Sequence, residues 1–224
     1  SLRDMRIVIA GGHGKIALHL ERLLATRGDT PVGLIRNPDH AEDVRAAGAE
    51  PVLVDLEDTT VTRLTEKVVG ADAVVFAAGA GPGSGAARKE TVDRDAARLL
   101  ADAASLAGVR RYIMVSAIGV DDGPAPGSDP VWAAYVEAKR AADDDLRGRS
   151  LETDWTILRP GRLTNEPGTG RVRLAPKVEK AEISREDVAA VIVALLDEPA
   201  TIGQVLELVA GDTPITEAVR AAAA

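Results

Sequence analysis

Residues 6–24 read RIVIAGGHGKIALHLERLL. An apolar run, Ile7 to Ala10, meets an amphipathic run in which Ile16, Leu20, Leu23 and Leu24 recur at helical spacing. Between them stand Gly11, Gly12 and Gly14, and Ala17 follows one turn into the second run. The arrangement is strand, flexible joint, helix. In that setting Gly11 permits a tight turn, Gly14 lets the backbone approach a ligand, and Ala17 lets the helix pack closely on the strand. The first helical turn then points free N–H groups at an anion. Gly11, Gly12, His13, Gly14, Lys15 and Ile16 are therefore the candidate cradle for a pyrophosphate, in the pattern G-x-x-G-x-x-A.

Outward from this joint, the same alternation continues to the end of the chain. Gly28 stops the first helix, and PVGLIR (31–36) is the second strand. A short helix follows Pro38 and ends at Gly48, and EPVLVD (50–55) is the third strand. A helix over 60–69 closes at Gly70, ADAVVFAAG (71–79) is the fourth strand, and AGPGSGAA (80–87) is a loop. A long helix is predicted from Glu90 to Ala107, a fifth strand in RRYIMVSAIG (110–119), and a helix from Val131 to Arg147. DWTILRPG (154–161) is the sixth strand, 162–184 reads as irregular, Arg185 to Leu196 as helix, and QVLELV (204–209) as a last strand. Ala221 to Ala224 reads as a frayed tail.

Strands alternating with helices at this spacing indicate βαβ units. Near-continuous apolar strands indicate a parallel sheet covered on both faces. The expected fold class is α/β, a Rossmann-type doubly wound parallel sheet with helices on both faces. Residues 1–224 read as one domain, with 162–184 and 204–224 as a small substrate-side region.

Composition narrows the chemistry. Apolar residues make up 46% of the chain and aromatics 2%, so the core is built from Ala, Val, Leu and Ile. The formal net charge is −8 and no dense Lys/Arg run occurs, which argues against a nucleic-acid partner. The absence of cysteine excludes disulfides, thiolate metal sites and cysteine nucleophiles. His13, His19 and His40 lack zinc-site spacing, so no metal is expected. Ile7–Ala10 is too short for a signal peptide, and the run Val188–Leu196 is half a membrane span, so the expectation is a cytoplasmic protein with no membrane partner.

The strand ends refine the ligand. A site for NAD usually has an acid after the second strand to hold the ribose 2′-hydroxyl. Here Arg36 stands at that point, followed by Asn37 and then His40. A guanidinium binds a 2′-phosphate, which favours NADP, with NADPH preferred over NADH. His40 reads as a solvated helix residue rather than a second phosphate contact. Asp55, beside Leu56, is placed either to accept from the adenine amino group or to cap a helix. Ala77, Ala78 and Gly79 are small enough for a cofactor to lie against the backbone.

These segments, with GVRRYIMVSAIG, YVEAK and TILRPGRLTNEPGTG, give the chain a resemblance to the short-chain dehydrogenase/reductases over nearly its whole length. More narrowly it resembles their atypical branch, which includes proteins labelled as epimerases or dehydratases and the biliverdin IXβ/flavin reductases. The resemblance implies a catalytic set of Ser116, Tyr135 and Lys139. Tyr135 and Lys139, four apart, share a helical face. In this reading the Lys139 ammonium lowers the tyrosine pKa and holds the nicotinamide ribose. Tyr135 then exchanges a proton with a carbonyl or hydroxyl, and Ser116 gives that oxygen a second hydrogen bond. Pro160 and Gly161 are implied to lie at the nicotinamide end. Leu163, Thr164 and Asn165 read either as the start of a substrate-facing loop or as a plain surface loop, Trp132 is placed to wall the pocket, and Trp155 reads as packing. The fuller family pattern has Asn where this chain has Asp93, the residue usual in the atypical branch.

The expected function is NADP(H)-dependent hydride transfer to or from a small carbonyl, hydroxyl, quinone or flavin substrate. The alternatives are a sugar epimerase or dehydratase, and a redox sensor that reports the cofactor ratio to a protein partner. The resemblance implies that the long helices at 90–107 and 131–147 pair subunits, in a homodimer.

Overall fold

The computed structural model describes residues 4–79 and 85–224, so most of the predicted loop at 80–87 lies outside the described residues. Strands β1 (Arg6–Ala10), β2 (Thr30–Ile35), β3 (Glu50–Leu53), β4 (Ala73–Phe76), β5 (Arg111–Val115) and β6 (Asp154–Pro160) pair in parallel in the order β3-β2-β1-β4-β5-β6. Strand order reverses between β1 and β4, which opens a crevice at the carboxyl ends of the strands. Beyond β6 the sheet continues through β10 (Val205–Ala210), parallel to β6, then β8 (Arg171–Ala175) and β11 (Thr213–Pro214). β7 (Arg162–Thr164) and β9 (Glu182–Ser184) form a separate parallel pair above the end of β6.

Side chains alternate between the two faces of each strand. Ile7, Ile9, Val75 and Ile113 join the core beneath α1 (Lys15–Thr26) and α7 (Arg185–Leu196). Val8, Val74, Phe76, Tyr112 and Met114 join a second core beneath α3 (Val61–Val68), α5 (Ala97–Leu106) and α6 (Pro130–Arg147). Each buried leucine or isoleucine contributes about 1.5–3 kcal/mol, so this two-faced burial holds the sheet between its helix layers. α2 (Ala41–Ala46) closes the β2–β3 edge. Among the described residues, no helix is long and apolar enough to cross a membrane.

Three expectations are corrected. Residues 162–184 hold three short strands, β7, β8 and β9, joined by turns, rather than being irregular throughout: β8 alternates exposed and buried residues, with Val172 and Leu174 inward. The turn before it is anchored on buried Asp187, which accepts from Thr169 N (3.0 Å) and Gly170 N (3.0 Å). The alanine-rich end is helix α8 (Ile215–Ala223), not a frayed tail. Ile215, Ala218, Val219 and Ala222 pack on the core at helical spacing. The helix predicted over 90–107 is α4 (Ala86–Lys89), a π-helical stretch Glu90–Ala96, then α5. The widened turn carries Asp93 into the interior, where it is fully buried.

Candidate functional site

The glycine joint follows β1 at the reversal point. A Cβ on Gly12 would stand 2.5 Å from Gly33 Cα, and one on Gly11 (φ +78°) 2.6 Å from Ala78 Cα. These two glycines are demanded by the approach of β2 and of the chain after β4. Gly14 differs: it is exposed, its φ is −61°, and a Cβ there would meet Gly11 O at 3.3 Å and Ala77 O at 3.9 Å. It begins α1 with no side-chain cap and no acid in the first turn. The N–H groups of the first turn, from Lys15 and Ile16 onward, are thus left for an anion.

Beside this joint is a cavity of about 150 Å³ that Gly11, Arg36, Asp55, Leu56, Glu57 and Ala78 help to line. Asp55 lies past the end of β3, and its Oδ1 accepts from Glu57 N at 3.0 Å. It caps its own turn, not a helix. Arg36 is exposed, and its Nη1 pairs with Glu57 Oε2 at 3.3 Å. Glu57 also accepts from Arg88 Nε and the Thr91 hydroxyl, each at 2.8 Å. Burial pushes the Glu57 carboxyl up, but Thr91, Arg88 and Arg36 outweigh it and hold the group below its ordinary range. The imidazoles of His13 and His40 stack at 3.7 Å, and His13 Nε2 lies 2.8 Å from Asp43 Oδ2. His40 is therefore not merely solvated: it packs against the glycine joint.

The second cluster sits at the ends of β5 and β6. Asp129 caps α6, accepting from Val131 N at 2.8 Å, and so sets the helix that carries Trp132, Tyr135, Lys139 and Asp143. Ser116 follows β5; Pro160 ends β6. A Cβ on Gly161 would clash with Ala181 O, so glycine is required there. Ser116, Trp132, Tyr135, Pro160, Gly161 and Leu163 help to line a cavity of about 750 Å³. Trp132 stacks on Tyr135 with ring centroids 5.2 Å apart, while Trp155 is buried in the core.

Lys139 does not line this cavity. It is 5% exposed, its Nζ donates to Val115 O at 3.1 Å, and it lies 3.7 Å from Asp93 Oδ1. Its charge is spent on the interior. The Tyr135 phenol is accordingly not lowered but pushed up to about 12, first by burial and then by the Asp93 and Asp143 carboxylates.

Ser116 is also engaged. Its Oγ donates to Asp143 Oδ2 at 2.6 Å, and both residues are buried. Arg159 Nη2 donates to the same oxygen at 2.9 Å and to Asp121 Oδ1 at 3.0 Å. Burial pushes the Asp143 carboxyl up, opposed by Ser116, Arg159 and Lys139. With its proton on Asp143, Ser116 offers the cavity lone pairs. Asp143 and Arg159 were missed in the sequence. The available signals were the 135–139–143 spacing on one helix face and an arginine inside the apolar run TILRP.

A doubly wound sheet with a glycine turn at its reversal point defines a Rossmann-type nucleotide-binding protein. The chain belongs to the NAD(P)H-binding family, whose pattern matches residues 11–199. The Bacillus subtilis protein named uncharacterized sugar epimerase YhfK is 37% identical over 217 residues, 96% of this chain and 99% of that protein. A solved structure from Bacillus halodurans, provisionally named an NAD-dependent epimerase/dehydratase, is 38% identical with a TM-score of 0.87, covering 97% of this chain and 99% of that one. The oxidoreductase ylbE from Lactococcus lactis is 30% identical with a TM-score of 0.84, covering 97% and 96% of the two chains. The chain is thus an NAD(P)-binding member of a group of epimerase- and oxidoreductase-like proteins.

Proposed function

We propose that this protein is an NADP(H)-dependent reductase of a small carbonyl compound, with Tyr135 as proton donor. The observation that carries the reading is the meeting of Ser116, Tyr135 and Gly161 at one cavity, with a tyrosine held protonated. The residues fit the cofactor: the open first turn at Gly14 suits the pyrophosphate, and Arg36 suits a 2′-phosphate. When bound, a reduced nicotinamide supplies hydride.

Tyr135 O–H faces the substrate oxygen and gives up its proton as negative charge develops there. Lys139, whose Nζ donates to Val115 O and lies 3.7 Å from Asp93 Oδ1, ties α6 to the end of β5 and so positions Tyr135 one helical turn away. Ser116, its own proton held by Asp143, accepts from the new hydroxyl and so holds the product alcohol. A phenol near 12 favours reduction over oxidation at neutral pH, because the oxidative direction needs the tyrosinate.

A screen of aldehydes, ketones, quinones and flavins, followed by loss of nicotinamide absorbance, tests the proposal. Consumption of NADPH faster than NADH with at least one carbonyl is expected. Bound NADPH with no consumption by any of them would instead favour the sensor reading. The name of the Bacillus subtilis relative supports a second reading, sugar epimerisation or dehydration. That reading expects product to form without net change of cofactor.

A further inference from the structure

The larger cavity carries charge opposite to that of the chain. The chain's formal net charge is −8, yet Arg162, Lys180 and Arg185 face the cavity against a single acid, Glu182. The pairing among them is uneven. Glu182 is taken by Arg162, in an ion pair that lies exposed at the rim. Arg185 opens α7, and its Nη1 donates to the neutral Asn165 Oδ1 at 2.8 Å. Lys180 forms no ion pair among the described residues. Its Nζ lies against the backbone of Gly119, 3.1 Å from where a Cβ would stand, a position open because Gly119 (φ +83°) has no side chain. Asp122 Oδ2 is 3.9 Å from that same point and does not line the cavity.

Two cations thus face the cavity without a carboxylate partner, while its other wall is apolar. Trp132 is 56% exposed, and Ile118 and Leu163 stand with it. The pyrophosphate cradle does not explain the cations, since none of Gly11, Gly12 or Gly14 borders this cavity. An exposed ammonium and a half-buried guanidinium facing one volume, neither paired with a carboxylate, favour an anion there.

We propose that the substrate of this cavity is a small organic anion. Its carboxylate or phosphate is held by Lys180 and Arg185, and its planar apolar body packs on Trp132. Calling that anion the substrate rests on the reductase reading; its binding does not.

The test is calorimetric titration of the full chain, saturated with NADP⁺, with benzoate, phenyl phosphate and the neutral methyl benzoate. At least one anion binds ten-fold or more tightly than the ester, and the tighter of the two identifies the charged group. That preference shrinks several-fold between 50 mM and 500 mM NaCl, as screening requires. Lys180→Met and Arg185→Gln each narrow the anion-over-ester ratio at least three-fold, with thermal melts confirming that both variants fold. Equal affinity for the ester, absence of anion binding, or a ratio unchanged in Lys180→Met would overturn the proposal. Turnover of 4-formylbenzoate against its methyl ester separates the two readings. Anion binding with neither aldehyde reduced counts against the reductase alone, and equal turnover of both counts against the anion alone.

Discussion

Ser116 Oγ donates to Asp143 Oδ2 at 2.6 Å, inside the protein and one layer behind the cavity wall. That bond ties the residue after β5 to α6, and Arg159 on β6 closes the network. Asp143 is thus a positioning residue, acting on the site through Ser116. Replacing it by Ala leaves Arg159 with only Asp121 and should cost about 3–5 kcal/mol. Asp143→Asn keeps the shape and should cost less. In that variant kcat should fall more than ten-fold with KM little changed, whereas a merely structural role would lower the melting temperature and leave kcat near wild type. Denaturant titration with steady-state kinetics reads both.

The glycine joint divides into fold and ligand positions. Gly12→Val should fail to fold or lose several kcal/mol, because its side chain would occupy the backbone of Gly33. Gly14→Val should melt close to wild type and lose NADPH binding at least a hundred-fold. Circular dichroism melts and cofactor fluorescence titrations distinguish them. A Gly14→Val protein that binds normally would remove the pyrophosphate from this turn.

Arg36 is tethered by Glu57 at 3.3 Å. Arg36→Ala should weaken NADPH about ten-fold, or about 1.4 kcal/mol, and leave NADH nearly unchanged. Glu57→Gln releases the guanidinium and should shift preference further toward NADPH. Equal loss for both cofactors in Arg36→Ala would remove the 2′-phosphate assignment.

Glu21, on α1, is fully buried beside Gly33, and its carboxyl oxygens make no hydrogen bond among the described residues. Burial pushes its pKa up from 4.5 to about 8, against a lesser lowering by Arg22. A raised folded-state value means that the native protein binds the proton more tightly than the unfolded chain. Stability from this group is full below pH 4.5 and is lost as pH rises to about 8, on the order of 4 kcal/mol in all. Relative to Glu21→Gln, the wild type should lose on the order of 10 °C in Tm between pH 5 and pH 8. Parallel melting curves across that range would contradict the buried, protonated carboxyl.

The sheet was legible because its central strands are continuous apolar runs: RIVIA is β1 as read, while ADAVVFAAG (71–79) and RRYIMVSAIG (110–119) contain the shorter β4 and β5, whose last residues fall three and four positions earlier. β7, β8 and β9 were not, because RLT, RVRLA and EIS break their apolar residues with charged ones and form no continuous run, and Asp187, which anchors the turn before β8, is remote in sequence. Helix α8 was legible in principle, through Ile215, Ala218 and Val219, but its alanines resemble an unstructured tail. Local motifs located Ser116, Tyr135 and Lys139. Their surroundings depend on Asp93 and Asp143, and the sequence does not show that a π-helical turn swings Asp93 against Lys139.

The most direct test of the account is the pH profile of carbonyl reduction in wild type and Tyr135→Phe. With a phenol near 12, the wild-type kcat should stay level from pH 6 to pH 9, and the phenylalanine variant should lose at least a hundred-fold throughout. Undiminished NADPH oxidation by Tyr135→Phe would contradict it and assign the chemistry to direct hydride transfer without a tyrosine proton.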